Sequence, residues 1–269
     1  MRAWPEYRLR AGPGTTRGDV PAGRTTPALP GAEDRIVSDR LRLAALLVLA
    51  VACARTATPV AVASPFPSPA RPVASIISSA YSEEGKRDAA GEAERVMDRL
   101  GVAPGVRVAD IGAGEGYYTV RLVRRLGSGA TLYATDVESK HLASLGDRLQ
   151  REGISGVTLV LGAPRDPRLP PQSIDVAILS HLYHEIENPY EFLYRLRPAF
   201  TSHGRIAIVE MDRPSERHGT PPALLRCELA AVGYREVDFV SLTPADGYLA
   251  VFEPPATLPA IEAIKPCAP

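Results

Sequence analysis

With 269 residues, the chain is long enough for one domain with a sizeable core plus appendages. Its 31 basic residues balance 31 acidic ones, so no global field of either sign draws it to nucleic acid or to cationic partners. A small-molecule ligand is the default expectation, and nucleic-acid binding is not expected.

Residues 1–36 mix Arg, Gly, Pro and Thr without hydrophobic periodicity. They bury too little to order themselves and are expected to be disordered, or to precede the true start. Residues 37–54 place Arg40 and Arg42 before an unbroken apolar run, Leu43 to Ala54, the layout of a secretory signal. A bilayer-spanning helix needs about 20 residues, so a permanent membrane span is the weaker reading. Such signals begin a few residues before their charged region, which predicts that translation starts near Val37. "LAVAC" is similar to a bacterial lipobox with Cys53 as the lipidated residue, although Ala50 stands where that motif prefers leucine. Export follows as the expected location, with membrane attachment through this segment or Cys53. A cytoplasmic location is the alternative.

Residues 55–78, rich in Pro, Ala and Ser, read as an extended tether to a domain spanning 79–254, with 255–269 a tail. Cys53, Cys227 and Cys267 lie in three unlike segments with no CxxC spacing, a poor framework for a metal or a disulfide. Cys227 reads as a small buried hydrophobe.

Within the domain, helical spacing of Ala90, Ala93, Val96, Met97 and Leu100 predicts one amphipathic helix over 81–100. Strand and helix signals then alternate. Strands are expected at "VRVADIG", "ATLYATDV", "VTLVLG", "SIDVAILSHL" and "GRIAIVEMD", separated by helices over 118–126, 141–152 and 189–200. A helix over 221–232 and two strands, "REVDFVSL" and "YLAVFE", close the pattern. The continuous apolar runs mark parallel strands covered on both faces. The fold expected is α/β: an open, doubly wound, mostly parallel seven-stranded sheet with helices on both faces, its ligand at the carboxyl ends of the strands.

The first strand ends in "DIGAGEG". Gly112, Gly114 and Gly116 strip side chains where the chain turns into a helix, which lets backbone N–H groups approach a ligand. Tight strand–helix packing is the alternative account of a lone GxGxG, and the lesser one. Dinucleotide folds use GxGxxG instead, which disfavours a nicotinamide oxidoreductase.

An acid two places before GxGxG, with a second acid, Asp136, ending "LYATD", resembles the class I S-adenosylmethionine-dependent methyltransferases over roughly residues 85–253. The resemblance implies S-adenosyl-L-methionine as cofactor, with the glycine loop beside its methionine part and Asp110 orienting its amino group. Asp136 then takes both ribose hydroxyls. Many relatives carry Gly-Asp-Ala after the third strand, where this chain has "LGAPRDP". Because Pro164 has no N–H, adenine recognition is expected from Ala163 N–H or from Asp166.

The fourth strand runs into "SHLYHEIENPYEF", placing Ser180, His181, Tyr183, His184 and Glu185 at the mouth of that site. Neither HExxH nor HxxEH is present, and no metal is expected. "EMDRPSERHGTPP" follows the fifth strand and reads as either a salt-bridged surface loop or an acceptor-binding lid, with Thr220 a helix cap. His184, His218 and Asp212 are the catalytic candidates, either histidine suited to take a proton from an oxygen or nitrogen acceptor. Nothing in the sequence identifies the acceptor atom or an oligomeric state. The rival from another class is an exported, non-catalytic binding protein that kept the fold.

Overall fold

The computed structural model describes residues 64–76, 84–242 and 247–268, all within one compact unit, Val62–Pro269. The segments expected at 1–36 and 37–54, Cys53 included, lie outside the described residues. No helix among the described residues is long and apolar enough to cross a membrane.

Seven strands make one sheet: β1 (Val108–Ile111), β2 (Leu132–Asp136), β3 (Val157–Leu161), β4 (Ile174–Ser180), β5 (Phe200–Glu210), β6 (Arg235–Ser241) and β7 (Tyr248–Glu253). Their order is β3-β2-β1-β4-β5-β7-β6. Neighbours from β3 to β5 are parallel, while β7 runs antiparallel to both β5 and β6. This is the expected doubly wound, mostly parallel architecture.

Alternation along the central strands divides the core in two. Ala109, Ile111, Ala177, Leu179, Ile206 and Ile208 join one buried cluster. Their neighbours Val108, Val176, Ile178, Ala207 and Val209 join another, on the opposite face. The first cluster takes in α5 (Pro189–Leu196) and α6 (Pro222–Ala231), and the second α2 (Glu92–Leu100) and α3 (Tyr117–Leu126). A smaller cluster seats α4 (Ser139–Arg151) through Leu145 and Leu149. Burying each such aliphatic side chain stabilises the fold by roughly 1.5–3 kcal/mol.

Local chemistry sets the helix boundaries. Gly91, at φ 65°, splits the single helix expected over 81–100 into α1 (Glu84–Ala90) and α2. At the start of α5 the Asn188 side chain accepts the Glu191 N–H, with Pro189 in the first turn. Pro198 bars continuation, so α5 stops at Leu196 and a 3₁₀ turn, Arg197–Ala199, leads into β5. Thr220 does not cap α6: its hydroxyl makes no side-chain cap bond, and Pro221 is the N-cap residue.

Three expectations about the flanks are corrected. Residues 64–76 are no free tether. Phe66, Arg71 and Ala74 are buried, and the Arg71 guanidinium pairs with Glu228 of α6 at 3.0 Å. Arg71 also donates to the carbonyls of Tyr183 (3.2 Å) and His184 (3.3 Å), so this strap props the turn after β4. The tail beyond 254 also packs, with Ile264 and Cys267 buried. Finally, Cys227 is exposed on α6 and forms a disulfide with Cys267. The tail returns past α5, where the Cys267 N–H donates to the Tyr190 hydroxyl at 2.8 Å. Cysteine spacing along the chain carries no trace of that return.

Candidate functional site

β1 has β2 on one side and β4 on the other, so the order of the chain reverses there. Ligands of open α/β sheets bind at the carboxyl ends of the strands beside such a reversal. A cavity of about 790 Å³ opens at this place, within the range of small-molecule sites. Seven of the nine sequence candidates line it: Asp110, Gly112, Gly114, Asp136, Ala163, His184 and His218.

Two candidates fall away. Gly116, at φ 91°, is the N-cap of α3; a Cβ there would lie 2.4 Å from Leu145 Cδ1. It lets α3 and α4 pack and does not line the cavity. Asp212 is exposed on the loop after β5 and also lies outside the lining.

Two carboxylates form the floor. Asp110 is almost wholly buried, and its Oδ2 accepts the Thr119 hydroxyl at 2.6 Å. Burial outweighs that hydrogen bond and pushes its pKa up to about 6. Asp136 ends β2, where Oδ2 accepts the Gly114 N–H (2.9 Å) and Oδ1 accepts the Glu138 N–H (2.9 Å). His141 Nδ1 lies 3.3 Å from the same Oδ1. A left-handed φ of 53° at Gly114 aims its N–H at the acid.

Beyond β3 the lining is Gly162, Ala163, Pro164 and Pro167, a slot poor in polar groups. The expected Ala163 N–H contact is not available, because that N–H donates to the Asp166 carbonyl at 2.7 Å. Asp166 does not line the cavity; its Oδ1 accepts the Arg168 N–H at 2.8 Å. The four residues from Ala163 to Asp166 close on themselves, and a planar ring entering here meets packing surfaces.

One wall was not legible as a site. α1 contributes Arg87, which binds Glu92 (2.6 Å) and the Ser180 hydroxyl (2.7 Å), tying α1 to the end of β4. Burial pushes the Glu92 carboxyl up, but hydrogen bonds from His181 and Arg87 outweigh it and hold its pKa down at about 2. Tyr117 lies between the guanidinium groups of Arg87 and Arg121, 3.7 and 3.9 Å from the ring centre. Acid and arginine on an amphipathic helix look like an ordinary solvated face, and only their spatial partners make them a wall.

At the other end, the turn after β4 and the loop after β5 bring three of the singled-out residues together. Atoms of His184, Glu185 and His218 that can bind a proton or an ion lie within 4.8 Å of one another. His184 Nδ1 donates to Glu210 Oε1 at 2.8 Å, with both side chains buried. With the proton on Nδ1, facing the carboxylate, Nε2 is the ring nitrogen that accepts. His218 sits at φ 56°, and its ring crosses that of His184 at 80° with centres 5.4 Å apart. Desolvation first, then the neighbouring His184 and Arg213, hold the His218 imidazole below its usual pKa. Its loop is closed by Thr220 N–H to the Met211 carbonyl (2.9 Å) and by Arg213 Nε to the His218 carbonyl (3.0 Å).

Fold and site together define an α/β domain of the Rossmann-like kind with a small-molecule cavity at its switch point. Residues 109–208 match the family model described as "Methyltransferase domain". Nocamycin O-methyltransferase of Saccharothrix syringae is 30% identical over 88 residues, which cover 33% of this chain and 31% of that one. The chain thus spans about a third of the length of this curated relative. Among solved structures, a SAM-dependent methyltransferase from Aquifex aeolicus superposes with TM-score 0.54 at 21% identity, over 60% of this chain and 87% of the other. The cyclase SpnF superposes with TM-score 0.51 at 17% identity, over 63% and 82%. The fold is that of class I methyltransferases, and it also hosts a protein described as a cyclase.

Proposed function

We propose that the domain binds S-adenosyl-L-methionine and transfers its methyl group to a small-molecule acceptor held between His184, His218 and Glu185. The observation that carries this reading is the pair Asp110 and Asp136 on the cavity floor, at the ends of adjacent strands and bracketing the glycine loop. Their chemistry fits the cofactor: an acid for its ammonium group and an acceptor for its ribose hydroxyls. The methyltransferase-domain match over 109–208 supports the same reading. So does the O-methyltransferase relative, which acts on a small molecule by its name.

The bound cofactor supplies an activated methyl group on a good leaving group. What the chain supplies is alignment, the main contribution to an in-line displacement. Asp136 fixes one end of the cofactor through an acid already oriented by two backbone N–H groups, and Asp110 fixes the other. His184, oriented by Glu210, presents Nε2 as a lone pair that takes a proton or a cation.

Calorimetry with S-adenosylhomocysteine, S-adenosyl-L-methionine and NAD is the test. The expected result is one site for the two sulfur ligands, none for NAD, and a weaker site in Asp136→Ala. Absence of S-adenosylhomocysteine binding would overturn the reading. Binding without transfer to any acceptor from a panel of hydroxylated small molecules would favour the non-catalytic rival.

We also infer that the domain works outside the cytoplasm. Support comes from the apolar run Leu43–Ala54 in the sequence and from the Cys227–Cys267 bridge, a linkage that persists in oxidising compartments. Protease added to intact spheroplasts should digest a carboxyl-terminally tagged chain; protection until lysis would overturn export. Unchanged membrane attachment in Cys53→Ala would overturn lipidation.

A further inference from the structure

We propose that His184, Glu185 and His218 bind a first-row divalent transition-metal ion of the Zn²⁺ kind at the acceptor end of the cavity. The donor set is two imidazole nitrogens and one carboxylate oxygen, each within 4.8 Å of the other two. Two histidines and a carboxylate with positions left open for water or substrate are the ligands of catalytic zinc and non-haem iron sites. An ion about 2.0–2.2 Å from each donor in tetrahedral geometry needs donors roughly 3.4 Å apart. His184 Nε2 and Glu185 Oε1 already stand 3.9 Å apart. Glu185 and His218 are only half-buried, so small rotations of their side chains close the set.

Two independent observations point the same way. Glu210 is fully buried and holds His184 Nδ1 at 2.8 Å, the carboxylate–histidine arrangement that fixes the tautomer and ring of a metal ligand. His218 Nδ1 is buried without a hydrogen-bond partner among the described residues, although its ring faces His184. A buried ring nitrogen left unpaired is costly, and an ion bound at Nδ1 and shared with His184 and Glu185 would remove that cost.

The metal site stands on these residues alone; its use in catalysis rests on the methyl-transfer reading. There, an oxygen of the acceptor would occupy an open coordination position. The ion lowers the pKa of such an oxygen, as it does for bound water, so the acceptor loses its proton to solvent before it takes the methyl. The substrate class is therefore a small molecule with a hydroxyl that binds the ion through the same oxygen that takes the methyl.

The test is titration of chelator-treated protein with Zn²⁺ by calorimetry and with Co²⁺ by visible absorption. The expected result is one ion per chain with intense Co²⁺ bands of low coordination number. His218→Asn, a residue that tolerates the left-handed backbone, and Glu185→Gln should each weaken binding about tenfold or more. Glu210→Gln, which touches no ion, should weaken it by roughly 10–100-fold. S-adenosylhomocysteine affinity should stay within about twofold in all three, which verifies their folding. Asp136→Ala should do the reverse, losing S-adenosylhomocysteine and keeping the metal. Absence of Zn²⁺ binding, or equal binding in the parent and the His218→Asn, Glu185→Gln double variant, would overturn the site even if S-adenosylhomocysteine binds. Zn²⁺ binding without S-adenosylhomocysteine binding would keep the metal site and sink the cofactor reading.

Discussion

The guanidinium of Arg71 lies 3.0 Å from the carboxylate of Glu228, and both side chains are almost completely buried. A strap read from the sequence as a tether thus carries a charge into the core. Burial outweighs the arginine and pushes the Glu228 carboxyl up from its usual pKa, so this acid depends on its partner to stay ionised. Removing one member of a buried pair costs about 3–5 kcal/mol because the other charge is left alone. Arg71→Met should lower the melting temperature by roughly 6–20 °C, and a double variant that also carries Glu228→Leu should recover most of the loss. A melting temperature unchanged in Arg71→Met would show that the strap contributes nothing. Removing residues 64–76 should be at least as damaging, since Arg71 also holds the carbonyls of Tyr183 and His184.

The Cys227–Cys267 bridge closes a loop of 40 residues in sequence. In the chain-entropy account a loop of that length is worth about 3–4 kcal/mol, so reduction or the paired Cys→Ser variant should lower stability by that order. Denaturant unfolding with and without a reductant measures it. Because the bridge ties α6 to the tail and not to the cavity, S-adenosylhomocysteine should still bind the reduced domain. Equal midpoints in both conditions would mean that the bridge does not form in solution.

Periodicity made the strands, the helices and the parallel character of the sheet legible in the sequence, because buried parallel strands are continuous apolar runs and each crossover helix carries its own apolar stripe. The two acids were legible through the resemblance, which rests on an acid two places before GxGxG and a second acid ending the next strand. What the sequence hides is contact at a distance. Arg87 and Glu92 look like solvated helix positions until Ser180, at the end of β4, and His181 just after it reach them. Glu210 looks like one acid among several until His184 reaches it. Ala163 N–H looks available until the chain folds Asp166 back onto it. Gly116 shares a motif with Gly112 and Gly114 but answers to Leu145 of a different helix.

Asp136 accepts the Gly114 N–H and also lines the cavity, so in the proposed cofactor site it joins the glycine loop to the ribose end. Asp136→Ala removes the acceptor proposed for ribose and also unlatches the loop. Losing hydrogen bonds to a charged group costs about 1.5–3 kcal/mol, so S-adenosylhomocysteine should bind roughly 10–150-fold more weakly by calorimetry. Equal affinity in variant and parent would remove Asp136 from the site.

Asp110 should give the domain two opposite responses to pH. Its folded pKa of about 6 stands above the ordinary aspartate value of 3.8, so the folded protein holds this proton more tightly than the unfolded chain. The stability it contributes to the ligand-free domain is full below about 3.8 and is lost as pH rises through about 6. Cofactor binding runs the other way, because an ammonium group beside Asp110 favours the ionised acid. S-adenosylhomocysteine affinity should therefore fall as pH drops from 7 to 5, while the Asp110 share of ligand-free stability rises. Asp110→Asn keeps a hydrogen-bond acceptor near Thr119 and removes the titration, so both slopes should flatten, with binding weak at every pH. Calorimetry and thermal melting across pH 5 to 8 on the two proteins read both slopes. If the variant kept the parent's pH dependence of binding, the cofactor's amino group would not lie against Asp110.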